Sequence, residues 1–435
     1  MAETSVHGAI HCKSPGDRPN RTRRIPPPPP LNRRDDISAL PDDVIHHIFS
    51  FLTLRDVVKT SILSKRWQST WTSTTDLVFN DGIGDDLPHS SRDFSSFVDS
   101  VLLQSTSPTV KRFHIMCDGV NSPKFDSWFC FAAARRVEDL RLLPAATPLF
   151  SYALPQFVCH LSWLVRLEFR KCRFSLGTTV RWPRLKVLSM SFAELSDHIL
   201  EEIVRGSPVL ESLELHMCKG VKNIRIDSMS VKKLILVYPM TCKVETIWAR
   251  YLLSLWISGF LPNDPMFRLD NVSSLVEANL YFLMSRGERM LDLLKGLLEK
   301  LRGVPTIATC GRCFQFGLDD ESRGRFNFNG EDYLCPRKGS FECLAKHLKR
   351  VEIIGYEANR LGSNHLLSLI KFLLGNAHAL EKLIIKARLT RHVQKHLQAA
   401  DLLKLYGMNK NVLSCRRASQ NAEVIFVYRF NRVSC

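Results

Sequence analysis

Cys310-Gly-Arg-Cys313 has the spacing of half a zinc site, and Cys335 and Cys343 would complete four thiolates. A second close Cys-x-x-Cys pair is absent, so free thiols are the expected state, and no metal or other cofactor is expected. A redox role would want a helix N-terminus and a thioredoxin-like surround, and neither is legible around the pair. The 14 histidines are dispersed without a nucleophile or metal partner. No phosphate-binding Gly-rich loop, Gly-x-Ser-x-Gly elbow or His-Glu-x-x-His pair is present. The expectation is a protein that is not an enzyme, with no catalytic residues, whose chemistry is that of interfaces.

Composition narrows the setting. With 435 residues, 45% hydrophobic and 24% charged, the chain has length for two or three domains of ordinary globular make-up. No apolar run is long enough to span a bilayer, and the N-terminus offers His and Arg where a secretory signal needs an apolar core, which predicts an intracellular protein. Thirteen scattered cysteines fit reduced thiols better than a disulfide framework, as expected of nucleus or cytoplasm. The net charge of +17 is uneven: residues 1–34 carry seven basic and two acidic side chains, and residues 341–435 carry sixteen and six. Such termini suit nucleic acid, an acidic partner, a nuclear import receptor or plain solvation.

The interfaces need elements to carry them, and the segment 35–75 supplies the first set. Pro41 suits a first helical position, with Asp42 and Asp43 in the first turn where the helix dipole favours negative charge. Ile45, Ile48, Phe49 and Leu52 follow at helical spacing. Thr53, with Asp56 as a shortened capping box, starts a second helix whose apolar face is Leu54, Val57, Val58 and Ile62. Ser64 caps a third, where Trp67 and Trp71 share a face. Three helices this short expose more apolar surface than they bury among themselves, and the surplus calls for a partner.

Leu40-Pro41-Asp42-Asp43-Val44-Ile45, then Ile48-Phe49, Leu52, Val57-Val58 and Leu63-Ser64-Lys65-Arg66-Trp67, resembles a plant F-box over the whole motif. F-boxes bind the Skp adaptor of SCF ubiquitin ligases. The resemblance therefore implies that Leu40, Pro41, Ile45, Ile48, Leu52, Val57, Val58 and Trp67 supply core and adaptor contact, and that a cullin scaffold is reached through the adaptor.

Residues 1–34, with scattered Arg and the run Pro26 to Pro30, predict a disordered tail, in which Arg21 to Arg24 could serve as a nuclear address. Within 76–109, Phe94, Phe97, Val98, Val101 and Leu102 predict an amphipathic helix that joins the F-box to the rest of the chain. Over 110–302 one pattern then returns, at Val137, Leu164, Leu185, Leu210, Val231 and Leu252, in steps of 27, 21, 25, 21 and 21 residues. That period belongs to leucine-rich repeats, whose strands line the inner face of a curved solenoid. Cys172 and Cys218 fall where such repeats place Asn or Cys, which predicts core positions. Ser196 to Pro208 reads as one return helix, and Val272-Ser-Ser-Leu275 as the start of a seventh unit. Met284 to Leu301 reads as a charged amphipathic helix, and 303–340 as a loop or insertion.

Residues 341–388, with strands at Val351 to Ile354 and Lys382 to Ile385 around a helix, resemble the FBD region that follows the repeats in many plant F-box proteins. Residues 389–435 form a basic C-terminal segment whose LLSCRRASQNAEVIF looks like that region's last part. The expected fold is α/β: an N-terminal three-helix F-box followed by an irregular leucine-rich-repeat solenoid, a curved parallel sheet with helical or loop return segments.

In each Leu-x-x-Leu-x-Leu unit the leucines point inward, and the residues beside them reach the concave surface. This assigns Arg166, Glu168 and Arg170, then Glu214 and His216, then Lys233, and finally Trp256 to a substrate-binding face. Trp256 is the expected anchor, because large aromatics dominate interface energetics. The expected function is the substrate-recognition subunit of an SCF-type ubiquitin ligase, its repeats holding an unidentified target protein. The alternative is a basic repeat protein binding nucleic acid or an acidic partner. Few aromatics interleave the basic residues, which disfavours nucleic acid, and no membrane partner is expected.

Overall fold

The computed structural model describes residues 37, 39–81, 91–117, 123–145, 151–175, 177–238, 244–260, 268–283, 297, 300–301, 303–310, 346–357, 364–389, 406–407 and 409–430. Three short helices open it: α1 (Asp42–Phe49), α2 (Leu54–Lys59) and α3 (Lys65–Thr70). Pro41 stands one residue earlier than the sequence suggests, as the N-cap of α1. Its extended ψ of 149° lets its carbonyl accept from the N–H groups of Val44 and Ile45, at 3.0 and 3.1 Å. The other caps form as expected. Thr53 Oγ1 accepts from the Asp56 N–H (3.3 Å) while donating to its carboxylate (2.8 Å), and Ser64 Oγ accepts from the Trp67 N–H (3.4 Å).

Ile45, Phe49, Leu54, Val57, Trp67 and Trp71 close this small core. The Trp67 indole N–H donates to the Ile37 carbonyl at 3.1 Å, and its ring meets Phe49 edge-on at 5.6 Å. Ile62 does not join them. Helix α2 ends at Lys59, and the tighter 3₁₀ turn of residues Thr60–Ile62 rotates Ile62 outward to 87% exposure.

The rest is built on one thirteen-stranded, wholly parallel sheet. Its first strand, β1 (Asp76–Asn80), lies in the segment expected only to join the F-box to the repeats. The expected helix is present as α4 (Ser91–Gln104), but as the return between β1 and β2 (Arg112–Cys117), so the sheet starts directly after the F-box. Helix α5 (Phe125–Ala134) leads to β3 (Asp139–Pro144); a short strand β4 (Tyr152–Ala153), β5 (Arg166–Arg170), the short β6 (Cys172–Arg173) and β7 (Val187–Ser191) follow. Helix α6 (Asp197–Gly206) is the one expected over Ser196 to Pro208, and the Ser196 hydroxyl caps it at 3.2 Å from the Ile199 nitrogen.

Strands β8 (Ser212–His216), β10 (Lys233–Tyr238), β12 (Ser254–Phe260) and β14 (Glu277–Leu283) continue the sheet. Between them β9 (Asn223–Arg225), β11 (Thr246–Trp248) and β13 (Arg268–Asp270) form a small parallel sheet of their own among the return segments. Strand β15 (Thr306–Cys310) shows that the expected loop begins later than residue 303, since Ile307 pairs in register between Ala278 and Val351. Strand β16 (Arg350–Glu357), helix α7 (Asn364–Asn376), β17 (Lys382–Leu389) and β18 (Glu423–Phe430) finish it. The last strand lies inside the segment expected to be a basic tail.

Two inward rows run across every strand. One passes through Leu77, Phe113, Leu140, Leu167, Leu188, Leu213, Leu234, Leu255, Ala278, Ile307, Val351, Leu383 and Val424. The buried side chains form a single continuous cluster from Ile45 to Ala422, so the F-box and the repeats share one core. Helix α2 packs on β1, the Arg55 guanidinium lies 5.0 Å from the Phe97 ring centroid, and the Thr106 N–H donates to the Thr72 carbonyl at 2.8 Å.

After β5, β7 and β8 the chain turns through Lys171, Phe192 and Met217, all left-handed at φ of 56°, 54° and 56°. Their N–H groups still reach the neighbouring rung, at Ser191, His216 and Val237, and these bonds help hold a conformation that L-residues resist. The turn drops Cys172 and Ala193 into the core, while Cys218, half-buried, donates its thiol to the Met190 carbonyl at 3.3 Å. Burial pushes the Cys172 thiol well above its usual range and that of Cys159 up to about 12, as befits inert core thiols.

Close approach fixes two glycines, Gly206 and Gly220. Gly206 ends α6 against the loop between β6 and β7, where an added Cβ would fall 2.0 Å from the Val180 carbonyl oxygen. Gly206→Ala should therefore destabilise the chain by about 1–3 kcal/mol, the usual range for overpacking, seen as a lower midpoint in denaturant unfolding.

Candidate functional site

The F-box divides its expected contact residues into two groups. Ile45, Val57 and Trp67 are buried in the core, whereas Pro41 and Leu52 are exposed and Leu40, Ile48 and Val58 are half-buried at its rim. Around the rim stand further apolar side chains outside the expected contact set: Val44, Phe51 and Leu63 are exposed by 41%, 77% and 51%, alongside Ile62. Their signal in the sequence was surplus apolar residues at positions a three-helix core has no room for. An apolar group of this size left in water marks an interaction surface.

The open face of the sheet carries the second candidate. Arg166, Glu168, Arg170, Glu214, His216, Lys233 and Trp256 all occupy outward register positions of β5, β8, β10 and β12, as strand alternation requires. They do not form one cluster. Arg166, Glu168 and Arg170 belong to a charged end of the face, where Asp139 is the hub: His114 Nε2 and Arg141 Nε lie 3.0 and 3.1 Å from its carboxylate, and Arg141 also reaches Glu168 at 3.4 Å. Next to it Asp76 and Arg112 pair at 2.7 Å. At the other end, Glu352 joins Arg350 and Lys386.

Between these ends the face is more sparsely charged, with Glu214, Lys233 and Glu277 in outward positions. Ser254, Ser258 and Asn279 lie around Ile235, Val237, Trp256 and Tyr281 in adjacent register positions, while Ser189 and Ser191 neighbour Glu214 and His216. Trp256, 37% exposed, stacks on Tyr281 with centroids 4.6 Å apart and planes 22° from parallel. Tyr281 was missed because its unit departs from the leucine pattern at Ala278. At the border, His216 lies 3.6 Å from Glu214 and holds its carboxyl below the usual range, with help from Lys233 and Ser212.

Among the described residues no group of His, Cys, Asp or Glu is arranged to hold a metal ion, and no helix is long and apolar enough to cross a membrane. Cys310 ends β15, while Cys313, Cys335 and Cys343 lie outside the described residues.

Comparison with known proteins adds the family. A profile for the F-box domain matches residues 37–77, one described as FBD-associated F-box protein At5g56370, LRR repeats, matches 125–263, and one for FBD matches 336–385. F-box/LRR-repeat protein 25 of Arabidopsis thaliana is 33% identical over 201 residues, which are 44% of this chain and 72% of that protein. The chain belongs to the F-box/LRR-repeat family.

A second Arabidopsis thaliana protein named as an F-box/LRR-repeat protein, At3g18150, is 31% identical over 307 residues, covering 67% of this chain and 63% of its own length. F-box/LRR-repeat protein At3g03360 is 32% identical over 225 residues, 48% of this chain and 44% of its own. The chain thus matches less than two thirds of the length of these two relatives. In this F-box/LRR protein the parallel sheet extends beyond the repeat profile on both sides, to β1 and to β18.

Burial raises the Asp139 carboxyl, but the hydrogen bonds and charges of His114 and Arg141 outweigh it and hold the group below the ordinary aspartate value. A depressed carboxyl stabilises the fold above its unfolded pKa, about 3.9, and loses that contribution as pH falls through the folded value. The difference in unfolding free energy between the wild type and Asp139→Asn should therefore be larger at neutral pH than in acid, as measured by urea titrations at both.

Proposed function

We propose that this chain is the substrate-recognition subunit of an SCF-type ubiquitin ligase, its F-box rim holding a Skp-type adaptor, and through it a cullin scaffold, while the open sheet face holds the target. The observation that carries the reading is the pairing of two separate exposed surfaces, the Phe51, Ile62 and Leu63 rim and the Trp256–Tyr281 platform, on one continuous core. A receptor of this kind performs no bond chemistry. It works by proximity, presenting a target lysine to a ubiquitin thioester at high effective concentration, and a shared core keeps the two surfaces at a fixed separation.

The Trp256–Tyr281 platform at the centre of the sheet favours a target segment with an exposed aromatic or aliphatic side chain over a polyanion. Four of the face's cations, Arg112, Arg141, Arg350 and Lys386, each have an acidic partner within ion-pair distance, which supports the same choice. A nucleic-acid platform would leave such cations free and interleave them with aromatics.

Burying one large apolar side chain is worth about 1.5–3 kcal/mol. The double variant Phe51→Asp with Ile62→Asp should fold like the wild type and bind a purified Skp-type adaptor at least about a hundredfold more weakly by calorimetry. Unchanged affinity would end the adaptor assignment. Trp256→Ala removes a stacking contact worth about 0.5–1.5 kcal/mol and little core, so its melt should stay close to wild type. Proteins that accumulate on the wild-type receptor under proteasome inhibition should be depleted from this variant while the adaptor is retained, and an unchanged set would move the target face elsewhere.

A further inference from the structure

A buried lysine at the C-terminal end of β5 has no counter-charge. Lys171, in the left-handed turn after that strand, is only 6% exposed, yet among the described residues its side chain makes no hydrogen bond or ion pair. Lysines are almost never fully buried unless paired, because leaving water penalises the charged form. Burial, and then the charges of Arg170 and Lys219, hold this amine below the ordinary lysine value. Two more donors beside it are unsatisfied. The Tyr152 N–H donates to the Lys171 carbonyl at 2.8 Å and Tyr152 is in register with Cys172, which puts Ser151 alongside Lys171. Ser151 Oγ and Arg170 Nε are both buried without a hydrogen-bond partner. The acids nearby are engaged elsewhere: Asp126 accepts from the Tyr152 hydroxyl, Glu168 pairs with Arg141, and Glu194 stands between Arg173 and Lys219 in a ladder of its own. Arg170 and Lys171 are thus two adjacent cations that no described acid neutralises, unlike the ion-paired cations at the ends of the face.

We propose that Ser151, Arg170 and Lys171 form a binding site for a phosphate group, free or carried as a monoester. A hydroxyl, a guanidinium and an ammonium can all donate, so the ligand must offer acceptors to each of them. Two uncompensated positive charges call for two negative ones. A phosphate dianion supplies them together with at least three acceptor oxygens, whereas a carboxylate brings one charge and two oxygens. The guanidinium presents a flat fork to a pair of oxygens and the ammonium a point charge to another. The site is separate from the Trp256–Tyr281 platform, since β7, β8 and β10 lie between β5 and β12, and it does not rest on the receptor reading. A bound phosphate would join β4 to the end of β5 and remove the repulsion between Arg170 and Lys171, so occupancy should stabilise the fold.

Thermal unfolding of the full chain in inorganic phosphate, against sodium chloride of equal ionic strength, tests this. The wild-type midpoint should rise in phosphate and not in chloride. Lys171→Met and Arg170→Met should each abolish the rise and weaken phosphate binding at least about tenfold by calorimetry. Lys171→Met keeps the buried stem and removes the uncompensated charge, so its melt in chloride should match or exceed the wild type's. Lys186→Met takes the same charge from an exposed lysine paired with Glu211 at 3.0 Å and should leave the phosphate response intact. Methyl phosphate should act as inorganic phosphate does; a response to inorganic phosphate alone would confine the site to the free ion. No phosphate response in the wild type, or an equal response in Lys171→Met and Arg170→Met, would overturn the site.

Discussion

The structure depends on the burial of two inward rows of side chains that no single repeat can bury alone. Each strand presents its leucines to a layer only one return segment deep, and the row becomes dry only when a neighbouring rung stands on either side. Once the rungs are in place, their order follows from the register, and so does the position of every outward side chain. The ends are where the constraint bites. At β1 it is met by the F-box, whose helix α2 covers the edge strand and whose aromatic core runs on into the Phe94, Val98 and Val101 face of α4. The F-box is thereby a structural cap, which explains why so small a domain can leave Phe51 and Ile62 in water and still fold.

The open face has a different logic. Its ion-paired clusters sit toward the two ends of the sheet, where acids and bases alternate between neighbouring strands and neutralise each other, as Asp76, Arg112 and Asp139 do. Paired charges of this sort contribute little stability apiece, but they set which partners are tolerated. The centre, by contrast, is hydroxyl-rich and holds the stacked Trp256 and Tyr281. A partner that docks there loses little electrostatic solvation and gains aromatic contact, the composition seen where interface energy concentrates.

Much of this was legible in the sequence. The capping residues Thr53, Ser64 and Ser196 each make the expected bond, because a cap is decided by a few adjacent residues. The six leucine-patterned units became β3, β5, β7, β8, β10 and β12. Strands β1, β2 and β15 escaped a leucine search because their inward positions are filled by Leu77 with Phe79, Phe113 with Ile115, and Ile307 with Thr309. A core accepts such exchanges when volume is conserved, so the pattern fades while the fold persists. The outward placement of Trp256 follows from strand alternation alone. Its stacking on Tyr281 did not, since which outward neighbours meet across strands is fixed by register, and register is a property of the whole sheet. The exposure of Ile62 was equally hidden, because it turns on where α2 tightens into a 3₁₀ turn.

The central claim is that one chain carries two functionally separate surfaces on a shared core. Amide hydrogen exchange of the purified full chain, with and without a stoichiometric Skp-type adaptor, examines it most directly. The account predicts slowed exchange confined to α1, α2 and the turn after α2, with β10, β12 and β14 unchanged. Protection of the central strands with none in the F-box, or no protection anywhere, would contradict it.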